Sequence, residues 1–160
     1  LLEKSDRLGG QLNQIMDPWK KEFLSILDYY EAELRRLGVD VQLGTEGTRE
    51  DGLWMVPEEV QPAYEDHKGK RILIDSNLYA YQDYAFSWAQ HNEVFITERS
   101  LNNLDRTRRY LLERAYAERG VKVVKDRVEA DVIYSGHARN QPSIGQSISR
   151  GYWAAVEYRG

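Results

Sequence analysis

The sequence predicts an α/β fold made of two halves, each a parallel sheet held between layers of helix. Three observations lead there. Residues 72–100, "ILIDSNLYAYQDYAFSWAQHNEVFITERS", pass from an apolar run to an aromatic-rich amphipathic one and back, the succession strand, helix, strand. The segments "AELRRLGVDVQL" and "AYAERGVKVVKD" repeat one plan 82 residues apart, Gly38 to Gly120: a helix rich in Glu and Arg, then Gly-Val-x-Val into a strand. Each copy follows a strand that closes on an acid, "LLEKS" in the first half and "FITERS" in the second. Helix–Gly–strand junctions alone are common, but two Rossmann-like three-layer nucleotide-binding halves account for the whole pattern.

Composition limits the alternatives. With 41% hydrophobic and 30% charged residues the chain has a soluble globular balance, and no stretch approaches the roughly 18 apolar residues of a membrane span. The opening "LLEKSDRLGG" lacks a basic region followed by an apolar run, so no signal peptide, no membrane and a cytoplasmic location are expected. The net charge is −4 and the bases are interleaved with acids, which argues against nucleic acid as partner. There is no cysteine, so this chain supplies no disulfide, no thiolate nucleophile and no cysteine ligand for an iron–sulfur cluster. His67, His91 and His137 lie far apart and read as surface or locally satisfied side chains; no metal site is expected.

Taken in order, Leu1 and Leu2 end a strand and run into the glycine-containing loop "EKSDRLGGQL". "DPWKKEFLSILDYYEAELRRLG" predicts a helix capped by Asp17, with Pro18 at its first position. Its apolar stripe is Trp19, Phe23, Ile26, Tyr30, Leu34 and Leu37, and Gly38 supplies the left-handed stop. "VDVQLGT" alternates as a strand. Residues 46–71, punctuated by Pro57 and Pro62, are the candidate boundary. After the strand–helix–strand unit come a polar link, a helix from about Asp105 to Arg119 that stops at Gly120, and the strands "VKVVKD" and "ADVIYSG". The last helix, in "SIGQSISRGYWAAVEY", places Ile144, Ile148 and Tyr152 on one face. The expected division is residues 1–48 with 130–160 as one half and 49–129 as the other.

Each half offers an acid where a ribose would bind. The acid after the second strand of such a unit accepts hydrogen bonds from ribose hydroxyls. Glu3 suits that role in the first half, followed by Gly9 and Gly10, which let a bulky ligand lie close; an exposed strand end and a turn are the plainer reading. Glu98 is the second acid, 23 residues after Asp75. Arg99 beside it suits either a 2′-phosphate or a solvated surface. The turn before the aromatic helix carries Asp75, Ser76, Asn77, Leu78 and Tyr79 with no glycine, which puts a charge and side chains where a pyrophosphate needs bare N–H groups. An ADP-like ligand or an empty, structural half suits it better than NAD. Tyr79, Tyr81, Tyr84, Phe86 and Trp88 suit core packing, with adenine stacking or an electron relay as the minor alternative. Ser143 and the N–H groups of Ile144 and Gly145 suit either an anion or a plain capped helix. No Ser–His–Asp, HExxH or paired-carboxylate pattern is present, so hydrolase machinery is not visible, and no catalytic residue is assigned.

The segments "LLEKSDRLGGQLNQ", "GKRILIDSNLYAYQ", "EVFITERS", "TRRYLLERAYAERGVKV", "ADVIYSGHARN" and "SIGQSISRGYWAAVE" together resemble the nucleotide-binding domains of the trimethylamine dehydrogenase and 2,4-dienoyl-CoA reductase family. That resemblance implies a cofactor-binding role, FAD or ADP, for Glu3, Lys4, Gly9, Gly10, Gln11, Leu12, Glu98, Ser143 and Ile144. It implies FMN and a 4Fe–4S cluster elsewhere in the full protein, on a flavin-bearing barrel domain or subunit, and an oligomeric assembly. The amine dehydrogenases of the family have a glycine-poor second turn and pass electrons to an electron-transfer flavoprotein. The expected function is therefore the nucleotide-binding part of a flavin-dependent oxidoreductase, most like an N-methylamine dehydrogenase or demethylase. The alternatives are a non-catalytic ADP-binding or docking module of an electron-transfer complex, and an NAD(P)H-dependent enoyl reductase. Relative to the family the chain is incomplete: the strand and GxGxxG loop before Leu1, the "ATG" strand, a sheet segment before "ADVIYSG" and a Gly-Asp motif after "RNQP" are missing.

Overall fold

The computed structural model describes residues 1–48, 51–52, 62–138 and 144–158, except the side chains of Trp19 and Ile144. It is α/β, with every strand pair parallel. Two compact units form, one of residues 1–13, 22–60 and 140–160, the other of 14–21 and 61–139.

In the first unit, β1 (Leu2–Glu3) pairs with β2 (Gln42–Leu43), and α1 (Ser25–Arg36) connects them. Short 3₁₀ segments, Gly10–Gln14 and Pro18–Leu24, precede α1. α1 ends in a Schellman motif: Val39 N–H donates to Leu34 O at 3.0 Å and Gly38 N–H to Arg35 O at 3.2 Å. Asp17 and Pro18 do not open an α-helix as expected, because their segment is held in the second unit. Asp17 is buried there, and Lys20 bonds Asp83. α1 begins instead at Ser25, with Leu24 at its cap and no side-chain cap bond. None of its residues is buried, and Tyr30 and Leu37 of the predicted stripe stay exposed. α4 (Ile144–Glu157) closes this unit with Ile148, Tyr152, Trp153 and Val156 exposed.

The second unit carries the larger sheet, ordered β5-β4-β3-β6: β3 (Arg71–Ser76), β4 (Glu93–Thr97), β5 (Lys122–Val124) and β6 (Val132–Gly136). Numbered within the unit this is 3-2-1-4, a three-stranded Rossmann half with one further strand across the point where the order reverses. Residues 130–136, expected with the first half, belong here: β6 pairs with β3 from Ile72↔Val132 to Ser76↔Gly136. The exposed edge of a central apolar strand such as "RILIDS" recruits the nearest strand-forming run regardless of its place in the chain. α2 (Tyr79–Trp88) and α3 (Arg106–Arg119) make the crossovers. The core joins Ile72, Ile74, Val94 and Ile96 of the sheet to Tyr84 and Trp88 of α2 and Leu112 and Tyr116 of α3. α3 starts on an Asp105 cap, which accepts Arg108 N–H at 3.0 Å. It ends in a second Schellman motif, with Val121 N–H donating to Tyr116 O and Gly120 N–H, at φ +78°, to Ala117 O.

The repeat seen in sequence is thus a structural one. Leu2 pairs with Gln42 and Thr97 with Val124. A shift of 82 residues carries Gln42 onto Val124, so Leu2 is the register equivalent of Thr97 and Glu3 that of Glu98.

Candidate functional site

The carboxyl ends of β3, β4, β5 and β6 converge on one edge of the larger sheet, and β3 and β6 flank the point where strand order reverses. Ligands of open parallel sheets enter the crevice at that point. Here the crevice is occupied by the protein's own side chains. Asn77, in the turn between β3 and α2, grips the chain leaving β6 with both ends of its amide: Nδ2 donates to Ala138 O at 2.9 Å, and Oδ1 accepts Ala138 N–H at 2.8 Å. Ser76 Oγ donates to Gly136 O at 2.6 Å and accepts Leu78 N–H at 3.3 Å. Asn103 Nδ2 reaches back to Asn77 O at 3.2 Å. The Leu78 N–H, one of the donors at the head of α2 that a pyrophosphate would need, is already spent on a side chain.

Asp75 is fully buried at the end of β3. Thr97 Oγ1 donates to it at 2.9 Å, and the guanidiniums of Arg99 and Arg127 pair with its two oxygens. The Arg99 bond holds its carboxyl well below the usual carboxylate range, aided by Thr97 and Arg127 and opposed by burial. Asp75 is therefore not the uncompensated charge that its place in the turn suggests. Arg99, expected either at a 2′-phosphate or in solvent, is bound to Asp75 instead, though its side chain remains 54% exposed. Ser100 Oγ, buried, contacts Thr97 Oγ1 at 2.8 Å and extends the network.

Glu98 follows β4 directly, exposed, and among the described residues its carboxylate has no hydrogen-bond or ion-pair partner. This edge thus presents a free carboxylate, Glu98, and among the described residues no glycine turn that would cradle a phosphate. It suits an adenosine-like end and does not suit the pyrophosphate of a dinucleotide.

Glu3 occupies the matching place at the end of β1, with Oε1 accepting Ser5 N–H at 2.8 Å and Oε2 without a partner among the described residues. Lys4, exposed, pairs with Glu46 at 2.9 Å. Gly9, at φ +110°, holds a conformation that favours glycine, and a Cβ there would stand 2.7 Å from Leu27 Cδ1, so the Leu27 side chain would have to shift. Gly10 faces open space, and Leu12 N–H closes the turn onto Gly9 O at 2.9 Å; Gln11 is exposed. Glu3 and the open face of Gly10 suit the ribose end of FAD or ADP. The described residues of this unit contain no glycine-rich strand-to-helix turn for the phosphates. Ser143 lies outside the described residues; Ile144 begins α4.

An aromatic cluster between α2, β6 and the segment before β3 was not legible as a site. Trp88 and Tyr134 stack at 4.6 Å between ring centroids and 6° between planes, and Tyr134 meets Tyr81 at 4.7 Å. His67 Nε2 lies 2.6 Å from the Tyr134 hydroxyl, which also donates to Glu65 Oε2 at 3.0 Å. His67 is thus satisfied locally. Only the aromatic spacing of α2 hinted at this; its partner Tyr134 lies 46 residues beyond Trp88 in the chain. A separate pocket of about 250 Å³, lined by Pro18, Phe86, Ala115, Glu118 and Arg119, lies at the end of α3 that leads into β5, away from the crevice.

No family model matches the chain, and no curated protein matches it. Among solved structures, 2-naphthoyl-CoA reductase in complex with 2-naphthoyl-CoA is similar in fold, with a TM-score of 0.73 and 15% sequence identity over 99% of this chain. The chain spans 36% of that protein's length.

Proposed function

We propose that this chain is the nucleotide-binding part of a flavin-dependent oxidoreductase, most like an N-methylamine dehydrogenase or demethylase that passes electrons to an acceptor flavoprotein. The carrying observation is the Asn77 clamp on Ala138. It keeps the dinucleotide-binding frame while removing the entry for a pyrophosphate, as suits an enzyme whose electrons neither come from nor go to NAD. A fold shared along the whole chain with a reductase supports the redox setting. The flavin, when bound, supplies the hydride or electron acceptor. Glu3 and Gly10 orient an adenine nucleotide on the first unit, and Glu98 holds the ribose of an ADP-like ligand on the second, its phosphates in solvent. FMN and a 4Fe–4S cluster would lie on a barrel domain or subunit, since this chain has no cysteine.

The fold neighbour's name favours a second reading, an NAD(P)H-dependent enoyl reductase. Anaerobic spectra of the full-length protein separate the two. On the first reading an N-methylamine bleaches the flavin and NADPH does not; on the second the reverse holds. A protein with no flavin absorbance in its native assembly would overturn both and leave an ADP-binding docking module. Titration calorimetry with NADH and with ADP, repeated on Glu98→Ala, tests the site itself. The substitution is expected to weaken ADP binding several-fold, while micromolar or tighter NADH binding with flavin reduction would sink the assignment.

A further inference from the structure

We propose that Trp88, Tyr134 and Tyr81 form an oxidisable relay that carries an electron hole from the buried indole to phenols at the surface, with the Glu65 carboxylate as proton acceptor. The rings are continuous. Trp88, 1% exposed, lies flat on Tyr134, and Tyr134 touches Tyr81; both phenols are partly exposed. Tyr64 stacks on Trp88 at 5.8 Å and 21°. A packed indole N–H and phenol O–H each need a hydrogen-bond partner; what bears on a relay is which partner each one has.

That arrangement gives the relay a direction. The Trp88 Nε1–H donates to the backbone carbonyl of Glu65 at 2.7 Å. A carbonyl oxygen is not a base, so an indole that has lost an electron keeps its proton and stays a strong oxidant. The Tyr134 hydroxyl, by contrast, donates to Glu65 Oε2 at 3.0 Å. The second contact on the phenol oxygen, His67 Nε2 at 2.6 Å, is satisfied when the imidazole carries its proton on that nitrogen and donates. Phenol oxidation near neutral pH requires the proton to leave with the electron, and here a carboxylate waits within hydrogen-bond reach. Burial and Glu65 both raise the Tyr134 pKa, keeping the proton on the phenol until oxidation drives it off.

The steps balance. An outer-sphere one-electron oxidant, such as an oxygen-derived radical or a high-potential metal complex, takes one electron from Trp88. The indole cation radical takes one electron from Tyr134, whose O–H proton passes to Glu65 Oε2, leaving a neutral phenoxyl radical. A soluble reductant such as ascorbate returns one electron, and the proton comes back from Glu65, whose side chain is 68% exposed to water. Oxidising equivalents formed inside the unit would leave it at a repairable surface site.

The full-length protein, photo-oxidised with a ruthenium polypyridyl–persulfate couple in the presence of a nitroso spin trap, provides the test. Peptide mass spectrometry locates the adducts and the oxidised tryptophans. The expected result is trapping at Tyr134 or Tyr81 out of proportion to their exposure. In Tyr134→Phe, oxidation of Trp88 should rise several-fold while that of the exposed Trp153 stays unchanged. Glu65→Gln leaves the ring stack in place and should lower trapping at Tyr134. Adducts that follow exposure alone, at Tyr110 and Tyr152, with Trp88 indifferent to both substitutions, would overturn the proposal.

Discussion

Replacing Asn77 by alanine removes the clamp across the crevice, and the structure sets the size of the effect. Two hydrogen bonds are lost, to Ala138 O at 2.9 Å and from Ala138 N–H at 2.8 Å. Each contributes about 0.5–1.5 kcal/mol net, and a group left buried without a partner adds toward the upper end. Ala138 is 8% exposed, so water reaches its freed N–H and C=O only after the exit of β6 loosens. The expected cost is about 2–3 kcal/mol. Urea denaturation followed by the fluorescence of buried Trp88 should show a midpoint lowered by on the order of 1 M. Hydrogen exchange at the Ala138 amide should accelerate with it, while the Tyr116 and Val121 positions of α3 and its cap change only through global stability. A midpoint unmoved within error, with the Ala138 amide still protected, would refute the assignment of the clamp as the element that closes the crevice.

Asp75→Asn should destabilise the second unit. Removing one partner of a buried ion pair costs about 3–5 kcal/mol, and since Arg99 and Arg127 are more than half exposed and can rehydrate, about 1–2 kcal/mol is expected. The depressed Asp75 pKa fixes the pH dependence: its contribution is complete above the unfolded carboxyl value of about 4 and is lost as pH falls toward the folded value. The difference between wild type and variant in denaturant midpoint should therefore be constant near neutrality and shrink below about pH 4. Asp75→Asn should also leave NADH binding absent in calorimetry, because Asn77 still fills the crevice. Gly120→Ala forces a side chain into the left-handed region at φ +78° and should lower stability by about 1 kcal/mol, measured by thermal or urea melts.

Local chemistry in the sequence carried most of the fold. Asp105 and Gly120 bracket α3 because capping depends on residues a few places apart, and the β3–α2–β4 unit follows from apolar periodicity. The placement of β6 did not follow, because its partner β3 lies 60 residues earlier and neighbouring strands in a sheet need not be neighbours in sequence. Asp17 looked like a helix cap, but its burial in the second unit, beside the Lys20–Asp83 bond, overrode the local signal. At the candidate site, the acids Glu3 and Glu98 were legible from the repeat. The neutralisation of Asp75 was not, since Arg99 and Arg127 arrive from 24 and 52 residues away. Nor was the Tyr134–His67–Glu65 group visible, being assembled by side chains that share no motif.

The Asn77 clamp also changes what the second unit's stability depends on. A dinucleotide-binding frame with an open crevice is partly stabilised by mass action: bound cofactor adds to its folding free energy in proportion to the logarithm of its concentration, and starvation for cofactor loosens it. An amide that stands permanently in the crevice acts as a ligand present at saturating concentration, joined to the chain and never released. On the proposed reading, the stability of this unit is thereby uncoupled from the cell's nicotinamide pool, and a folded second unit would carry no information about whether that pool is full or empty.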